Sequence, residues 1–297
     1  MTAESPFTLL FPGQGTEAVG MSAPWIANEA WNATLGSAER HTGYALRKLM
    51  AEGPIEALRF QRHAPCAVLA HSVGLYRAHR AAGMPAPVAA TGHSMGFFSA
   101  VVASGVVPLE AALDLITAVE EESEARFGAG AMGMAFVIGL GEGEVQAALT
   151  RHSELALSNR NGRAQFTVSG PKAALEAFVE ELRPAALKCG LLPVQHPLHG
   201  PHMVALVPAV ARRLAGVAPA APDFPLISHF DGRLLRAGGE IWDEAVAGPA
   251  LPVDWLRVVA ALKDLGAPLA ECGFGTQLTG LTRWADRDLA VRSLQIP

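Results

Sequence analysis

The chain has 297 residues, of which 50% are hydrophobic and 17% charged, and its formal net charge at pH 7 is -5. This length and composition allow one large domain with a smaller inserted one and a sizeable core. The negative charge and the lack of a basic run give no reason to expect nucleic acid binding, because a phosphate backbone requires clustered basic side chains.

No uninterrupted apolar run reaches about 18 residues, the length that spans a membrane, so the sequence predicts no membrane segment. Residues 1–6 lack the charged and apolar regions of a secretion signal. The three cysteines, Cys66, Cys189 and Cys272, are widely spaced and odd in number. We therefore expect buried free thiols in a cytoplasmic protein.

The first part of the chain alternates short strands with helices. A strand at residues 8–11 leads into the turn Gly13-Gln14-Gly15. A second strand within residues 86–91 precedes another glycine-rich turn. Apolar periodicity predicts helices over residues 25–41, 45–51, 64–81, 95–104 and 109–127.

The second turn, Gly92-His93-Ser94-Met95-Gly96, is the pattern that presents a nucleophilic serine. Glycines on either side let the backbone bend tightly, so that the Ser94 hydroxyl stands clear of its own main chain. Ser94 then precedes a helix, where free N–H groups stabilise a developing oxyanion, and the N–H of Met95 is one such donor. The alternative is a chance match, since glycine, alanine and serine are abundant here.

The pattern changes between residue 132 and about residue 196. The predicted elements are strand 133–140, helix 143–152, strand 155–157, strand 165–169, helix 171–183 and strand 191–195. This βαββαβ order is that of a ferredoxin-like unit. The turn at residues 159–162, which contains Asn161-Gly162, predicts a hairpin between the two middle strands.

Four ordered motifs together resemble the malonyl-CoA:acyl carrier protein transacylase family, which includes the acyltransferase domains of polyketide synthases. They are Phe11-Pro12-Gly13-Gln14-Gly15, the serine turn at 92–96, Gly130-Ala131-Met132 and Leu278-Thr279-Gly280-Leu281. The resemblance implies an α/β fold: an α/β-hydrolase-like large subdomain (1–131 and 197–297) with an inserted ferredoxin-like small subdomain (132–196). It also implies a site in the cleft between them.

The resemblance identifies His199 as the general base, because the family's catalytic histidine follows the last strand of the small subdomain. Its Nε2 would take the proton from Ser94 and return it to a phosphopantetheine thiolate. His196 and His202 compete with it on sequence grounds. The spacing of the three histidines also raises a metal site, but the intervening prolines and glycine prevent a regular helix from presenting all three, so we predict none.

No acidic third member of a triad is evident in the sequence. In the family a main-chain carbonyl orients the histidine, and the motif at residues 251–255 places the corresponding position at about Gly248. A carbonyl can hold the required tautomer without a charge. The backbone N–H of Gln14 matches the family's second oxyanion donor, beside that of Met95. The resemblance implies no bound cofactor; the substrate is the phosphopantetheine thioester of an acyl carrier protein, or of CoA.

The chain departs from the family on the helix after the serine. Malonyl- and methylmalonyl-specific members have an arginine there, which binds the substrate carboxylate as a bidentate pair. The ungapped count from Ser94 gives Val119 instead. A malonyl carboxylate facing valine would be unpaired, at a cost on the order of a few kcal/mol or more. The following glutamates, Glu120, Glu121 and Glu122, either contact a cationic aminoacyl chain or form a solvated helix face.

Phe97 and Phe98 stand where the family usually has glutamate and tyrosine. Two aromatic side chains beside the nucleophile would enlarge an apolar wall that suits a non-carboxylated acyl group; alternatively, either ring faces the core. His196 belongs to the four residues ending in the catalytic histidine, which lie near the substrate in family members. We therefore expect Val119, His196, Phe97 and Phe98 to form the acyl pocket.

These residues predict a serine acyltransferase that moves a non-carboxylated acyl group, aminoacyl included, to or between acyl carrier proteins. The main alternative is an acyl carrier protein hydrolase that uses the same acyl-serine intermediate, because water access depends on pocket shape. A silent docking module is disfavoured because Ser94, His199 and Gln14 are all retained. A generic esterase is disfavoured by the βαββαβ insertion and the motif at 11–15.

Overall fold

A computed structural model describes residues 6–60 and 62–295 of the chain. Residues 1–5, on which the prediction about a secretion signal depends, lie outside the described residues, as do Gln61 and residues 296–297. The first elements are β1 (Thr8–Phe11), α1 (Glu29–Thr42), α2 (Leu46–Glu52), α3 (Ile55–Leu58), α4 (His63–Ala81), β2 (Ala89–Gly92), α5 (Gly96–Ala103) and α6 (Leu109–Phe127).

The middle of the chain forms the predicted βαββαβ order. Its elements are β3 (Met132–Ile138), α7 (Glu142–Arg151), β4 (Ala156–Gly162), β5 (Gln165–Pro171), α8 (Lys172–Leu182) and β6 (Lys188–Leu191).

The remaining elements return to the large subdomain. They are α9 (Val207–Arg213), β7 (Leu226–Ile227), β8 (Leu234–Leu235), α10 (Gly238–Ala247), β9 (Val253–Asp254), α11 (Trp255–Leu265), β10 (Leu269–Glu271), α12 (Gln277–Ala285) and β11 (Val291–Ser293). Short 3-10 turns lie at Ala23–Trp25, Pro201–Leu206 and Gly248–Ala250.

The large subdomain contains a sheet with strand order β11-β10-β1-β2-β7-β8. The neighbours from β11 to β7 run parallel, and β8 pairs antiparallel with β7. Strands β1 and β2 are in register, with Phe11 opposite Gly92. Because both strands are parallel, the turns that follow them leave the sheet side by side.

The small subdomain contains an antiparallel sheet in the order β6-β3-β5-β4, to which β9 adds a fifth strand parallel to β4. Its core is separate from that of the large subdomain and includes Val137, Phe166 and Phe178. The predicted fold class, an α/β-hydrolase-like large subdomain with a ferredoxin-like small one, is confirmed. The exact division at residues 132 and 196 stays a prediction, because β9 lies outside that range.

Two predictions within the small subdomain are wrong. Residues 159–162 belong to strand β4, so the hairpin turn falls at Arg163-Ala164. The ladder absorbs the extra length through register shifts between Leu157 and Asn159 and between Arg160 and Gly162. The last strand pairs at 188–191 instead of 191–195, because the ladder with β3 extends only from Lys188 to Leu191.

Helix α1 begins later than its apolar pattern predicts. Asn28 has an extended backbone, and its side chain accepts a hydrogen bond from the N–H of Trp31 at 3.0 Å. This N-cap fixes the helix start at Glu29. Helix α4, by contrast, is buried along most of its length, as its alanine-, leucine- and valine-rich sequence predicts.

Each helix within the described ranges is too short or too polar to cross a membrane. All three cysteines are free thiols; Cys66 and Cys272 are buried and Cys189 is partly buried. Burial raises the pKa of the Cys66 thiol to about 12, so this thiol stays protonated at neutral pH.

We expect Phe178→Ala to lower the free energy of unfolding by about 3–5 kcal/mol, because its ring is fully buried in the small core and the substitution leaves a cavity. Urea unfolding followed by circular dichroism measures this loss. Leu187→Ala is the control, since Leu187 is 77% exposed and should change the free energy by no more than about 0.5 kcal/mol. A loss below about 1 kcal/mol for Phe178→Ala would contradict the packing described.

Candidate active site

The turn between β2 and α5 holds Ser94 in a left-handed conformation, with φ of 54°. This conformation is costly for a residue with a side chain and is found where the surrounding structure enforces it. The two flanking glycines make the turn possible. A Cβ on Gly92 would lie 2.0 Å from the carbonyl carbon of Gly96, and a Cβ on Gly96 would lie 2.0 Å from the carbonyl oxygen of Phe11.

The hydroxyl of Ser94 lies 2.7 Å from Nε2 of His199. On the other side of the ring, Nδ1 lies 3.1 Å from the carbonyl oxygen of Gly248 and 3.0 Å from that of Leu251. Carbonyl oxygens only accept hydrogen bonds, so Nδ1 carries the proton and Nε2 presents its lone pair to the serine. This arrangement can remove the hydroxyl proton as Ser94 attacks a thioester.

His199 is itself held in a strained conformation, with φ of 59°, and its N–H donates to the carbonyl of Pro249 at 2.6 Å. Its side chain is buried, and this burial lowers the pKa of the imidazole to about 4. Hydrogen bonds to the two carbonyls oppose the shift but do not cancel it. The ring is therefore neutral at physiological pH, as a general base must be.

The two competing histidines have other partners. Nε2 of His196 lies 3.0 Å from Oε2 of Glu120, and Nε2 of His202 lies 2.9 Å from the carbonyl oxygen of Glu154. The three histidines thus do not converge on one point. Within the described part of the chain, no group of three or more histidine, cysteine, aspartate or glutamate side chains could hold a metal ion.

Two main-chain N–H groups are available beside the serine. Those of Gln14 and Met95 have no hydrogen-bond acceptor among the residues that the structure describes. Both residues line the cavity that contains Ser94. Unpaired N–H groups of this kind can stabilise the oxyanion of a tetrahedral intermediate. The assignment of Gln14 and Met95 as the two oxyanion donors stays a prediction.

The loop that carries Gln14 is held by a side chain that the sequence analysis missed. Oε1 of Gln277 accepts from the N–H of Gly13 at 3.3 Å, and its Nε2 donates to the carbonyl of Gln14 at 3.4 Å. Gln277 is the first residue of α12, whose next N–H groups, of Leu278 and Thr279, donate to the buried Glu271. The sequence feature that could have indicated this role is the position of Gln277 directly before the Leu278-Thr279-Gly280-Leu281 motif.

Ser94 lies where two spaces meet. The inner cavity has a volume of about 50 Å³, and the outer cleft, between the two subdomains, has about 480 Å³. Gln14, Ser94, Leu198 and His199 border both spaces. The inner cavity is lined by Gln14, Pro65, Ser94, Met95, Phe98, Ile116, Val119, Glu120, Leu198, His199, His229, Gly248 and Pro249.

The structure separates the four predicted pocket residues. Val119 and Phe98 line the inner cavity, whereas Phe97 and His196 are not among the described residues of its wall. The ring of Phe97 is fully buried and stacks on His229 with centroids 4.6 Å apart, so it faces the core. His196 contacts the cavity-lining Glu120 instead. For Phe97 and His196 the predicted position is therefore wrong.

His93 forms a contact between the subdomains. Its Nε2 lies 2.7 Å from Oδ1 of Asn161 on β4, and its ring packs edge-on against Trp255. Both partners are buried. The bond ties the serine turn to the small subdomain without placing the imidazole of His93 on Ser94.

Residues 8–244 match the family model described as the acyl transferase domain. The chain belongs to the acyl transferase domain family. In this family it resembles "Malonyl CoA-acyl carrier protein transacylase" of Escherichia coli strain K12, with 32% identity over 98% of this chain and 96% of the relative.

Solved structures of this acyl transferase family match the fold along its whole length. The "acyl-carrier-protein s-malonyltransferase" of Burkholderia pseudomallei 1710b has a TM-score of 0.91 and 30% identity, over 98% of this chain and 97% of that chain. A malonyl-transacylase solved in complex with a type II polyketide synthase acyl-carrier protein has a TM-score of 0.92 and 28% identity, over 99% of this chain and 97% of that chain. The chain is therefore an enzyme of the acyltransferase class.

We expect the rate at which this acyltransferase loads an acyl group onto Ser94 to stay constant from about pH 8 to about pH 5. It should fall to half near pH 4, because burial lowers the pKa of His199 to about 4 and only the neutral ring accepts the serine proton. Single-turnover loading measured by intact-mass spectrometry gives this profile, with circular dichroism to verify the fold at each pH. A midpoint near 6.5, the ordinary pKa of histidine, would contradict the buried environment.

We expect Gln277→Ala to lower the loading rate constant by about tenfold with little change in KM, because the freed loop no longer holds the N–H of Gln14 in place for the oxyanion. Stopped-flow or quench-flow loading with a thioester substrate separates the two parameters. Gln146→Ala on the exposed face of α7 is the control. An unchanged loading rate for Gln277→Ala would remove Gln277 from the catalytic machinery.

Proposed function

We propose that this enzyme moves a short, non-carboxylated acyl group to or between acyl carrier proteins through an ester on Ser94. The proposal rests on the residues that line the inner cavity. By the ungapped count from Ser94, Val119 stands where malonyl-specific members of the family have arginine. Among the described residues, neither lysine nor arginine lines this cavity. On this proposal, the chain shares the fold of the malonyl transacylases and differs from them in the acyl group that it transfers.

The energetic argument concerns a carboxylate in the inner cavity. A malonyl carboxylate would leave water without gaining a bidentate arginine partner, at a cost on the order of a few kcal/mol. It would also lie in the same small cavity as the carboxylate of Glu120. An acyl group without a negative charge avoids both penalties.

The size of the inner cavity favours a short chain. Its volume of about 50 Å³ compares with the roughly 10–15 Å³ that one water molecule requires on the same measure. An acyl group of a few heavy atoms fits this space. A long fatty acyl chain does not fit unless the wall moves.

In the proposed reaction, Oγ of Ser94 attacks the thioester carbonyl as Nε2 of His199 takes its proton. The N–H groups of Gln14 and Met95 donate to the oxyanion. When the intermediate collapses, the C–S bond breaks and His199 protonates the departing phosphopantetheine thiolate. A second carrier thiol then attacks the acyl-serine, gives its proton to His199, and leaves with the acyl group as Ser94 regains its proton.

The outer cleft suits the phosphopantetheine arm of a carrier protein. It leads to Ser94 and His199, and Trp284 lies on its wall with its side chain largely exposed. Arg283 on α12 and Arg287 in the turn after it line one space together with Trp284, and both arginines are exposed. Acyl carrier proteins are acidic, so these basic side chains favour their approach.

The test presents wild-type enzyme with carrier proteins bearing acetyl, butyryl or malonyl groups, together with an unloaded second carrier. We expect intact-mass spectrometry to show acetyl or butyryl on the second carrier at a rate at least about tenfold above that of malonyl. Ser94→Ala should give no acyl mass on the enzyme. Faster malonyl transfer would overturn the proposed acyl specificity.

The same experiment tests the hydrolase alternative, in which water attacks the acyl-serine. Acyl mass lost from the first carrier without gain on the second would identify a hydrolase. A matched incubation with Ser94→Ala measures the uncatalysed loss of acyl groups. The hydrolase activity is the loss with wild-type enzyme minus this uncatalysed loss.

A further inference from the structure

The inner cavity has an unusual polar composition for a space that takes an uncharged acyl chain. Most of its wall is apolar, from Ile116, Val119 and Phe98. Apart from Ser94, His199 and the loop at Gln14, the polar side chains on its wall are Glu120 and His229. The functional question is what these two groups offer to an acyl chain.

His229 offers a hydrogen-bond acceptor. Its Nδ1 lies 3.2 Å from the carbonyl oxygen of Gly92, so Nδ1 carries the proton and Nε2 has the lone pair. The ring is held between Phe97 and Phe230, with centroids 4.6 Å and 3.9 Å away. Nε2 is buried and has no hydrogen-bond partner within the described residues. Burial also lowers the pKa of His229 well below its ordinary value, which keeps the ring neutral.

Glu120 offers a second acceptor. Its side chain is buried at the cavity wall, and one carboxylate oxygen is bound by His196 at 3.0 Å. The neighbouring glutamates differ, because Glu121 and Glu122 lie near Arg213 outside the cavity, at 2.6 and 3.6 Å. Of the three glutamates in the sequence run, only Glu120 lines the inner cavity.

The basic side chain near Glu120 does not remove the hydrogen-bond acceptor that Glu120 provides to the inner cavity. Arg62 is absent from the described wall of the inner cavity. It lines a separate small space, which Glu120 also borders, and it pairs with Glu124. The inner cavity therefore has two acceptors on its wall, Glu120 and His229, and neither lysine nor arginine among the described residues that line it. Nε2 of His229 has no donor among the described residues. Leaving such a buried acceptor unpaired costs free energy, which a substrate that supplies the donor recovers.

We propose that the acyl group carries a hydrogen-bond donor, an amine or a hydroxyl, that binds between Glu120 and Nε2 of His229. The proposal rests on the proposed function, since it requires the acyl chain to enter the inner cavity from Ser94. Such a site rejects chains that lack the donor, because Nε2 of His229 is then left buried and unpaired. Glu120 and His229 are thus residues that determine acyl specificity.

The test compares pantetheine thioesters of four acyl groups of similar size: butyryl, 3-hydroxypropionyl, β-alanyl and malonyl. Loading of Ser94 in single turnover is followed by intact-mass spectrometry. We expect 3-hydroxypropionyl or β-alanyl to load at least about tenfold faster than butyryl, the ratio that corresponds to one hydrogen bond to a buried group. Preference for β-alanyl identifies an amine, and preference for 3-hydroxypropionyl identifies a hydroxyl.

Variants assign the preference to its residues. Glu120→Gln keeps the shape of the side chain and should reduce the ratio of donor-bearing to butyryl loading by about tenfold, most strongly for a charged amine. His229→Phe should reduce the same ratio, and it tests the proposal independently if Glu120→Gln does not fold. Glu121→Gln is the matched control, one residue along the helix and outside the cavity, and should keep the wild-type ratio.

The possible failures are distinct. Butyryl loading equal to or faster than that of both donor-bearing chains would overturn this inference and leave the proposed function standing. Loss of the preference in Glu121→Gln as well would also overturn it. Malonyl loading faster than all three of the other chains would overturn the proposed function itself.

Discussion

The close approach of two main-chain segments at the ends of β1 and β2 is the constraint on which the site depends. The carbonyl of Phe11 lies so near Gly96 that no Cβ fits there. This contact places the loop at Gln14 against the serine turn, so that Gln14 and Met95, from two separate segments, line one cavity. Parallel pairing of β1 and β2 makes the approach possible, because it brings both turns to the same edge of the sheet. The strain at Ser94 is tolerated because both neighbouring backbones are fixed.

Features encoded locally could be predicted from the sequence. Helix α6 has the predicted bounds of 109–127, since its apolar periodicity ends in Gly128 with positive φ, which terminates the helix. The serine turn is also local, because two glycines and one serine specify it. Pairing of Ser94 with His199, 105 residues apart, could not come from the chain pattern alone and was reached through family resemblance.

Features that depend on distant contacts were missed or misplaced. The Asn161-Gly162 pair is a strong turn signal, yet β4 continues through both residues because Gly162 pairs with Gln165 of β5. Phe97 follows the nucleophile in sequence, but its side of the helix faces His229 and the core. Gln277 and His229 reach the site from segments remote in the chain, and no spacing rule connects them to Ser94. Whether residues of this kind contribute to the site depends on their burial and on their contacts in the folded chain.

Strand β9 connects the small subdomain to the backbone segment that orients the general base, His199. Val253 and Asp254 pair with β4, and Asp254 also binds Arg160 at 2.5 Å. Only two residues earlier, the carbonyl of Leu251 holds the imidazole of His199. A rigid-body movement of the small sheet would therefore pull on the carbonyl that orients the ring and change its reach toward Ser94. The strand that completes the small sheet and the carbonyl that orients the proton acceptor thus belong to one short stretch of backbone.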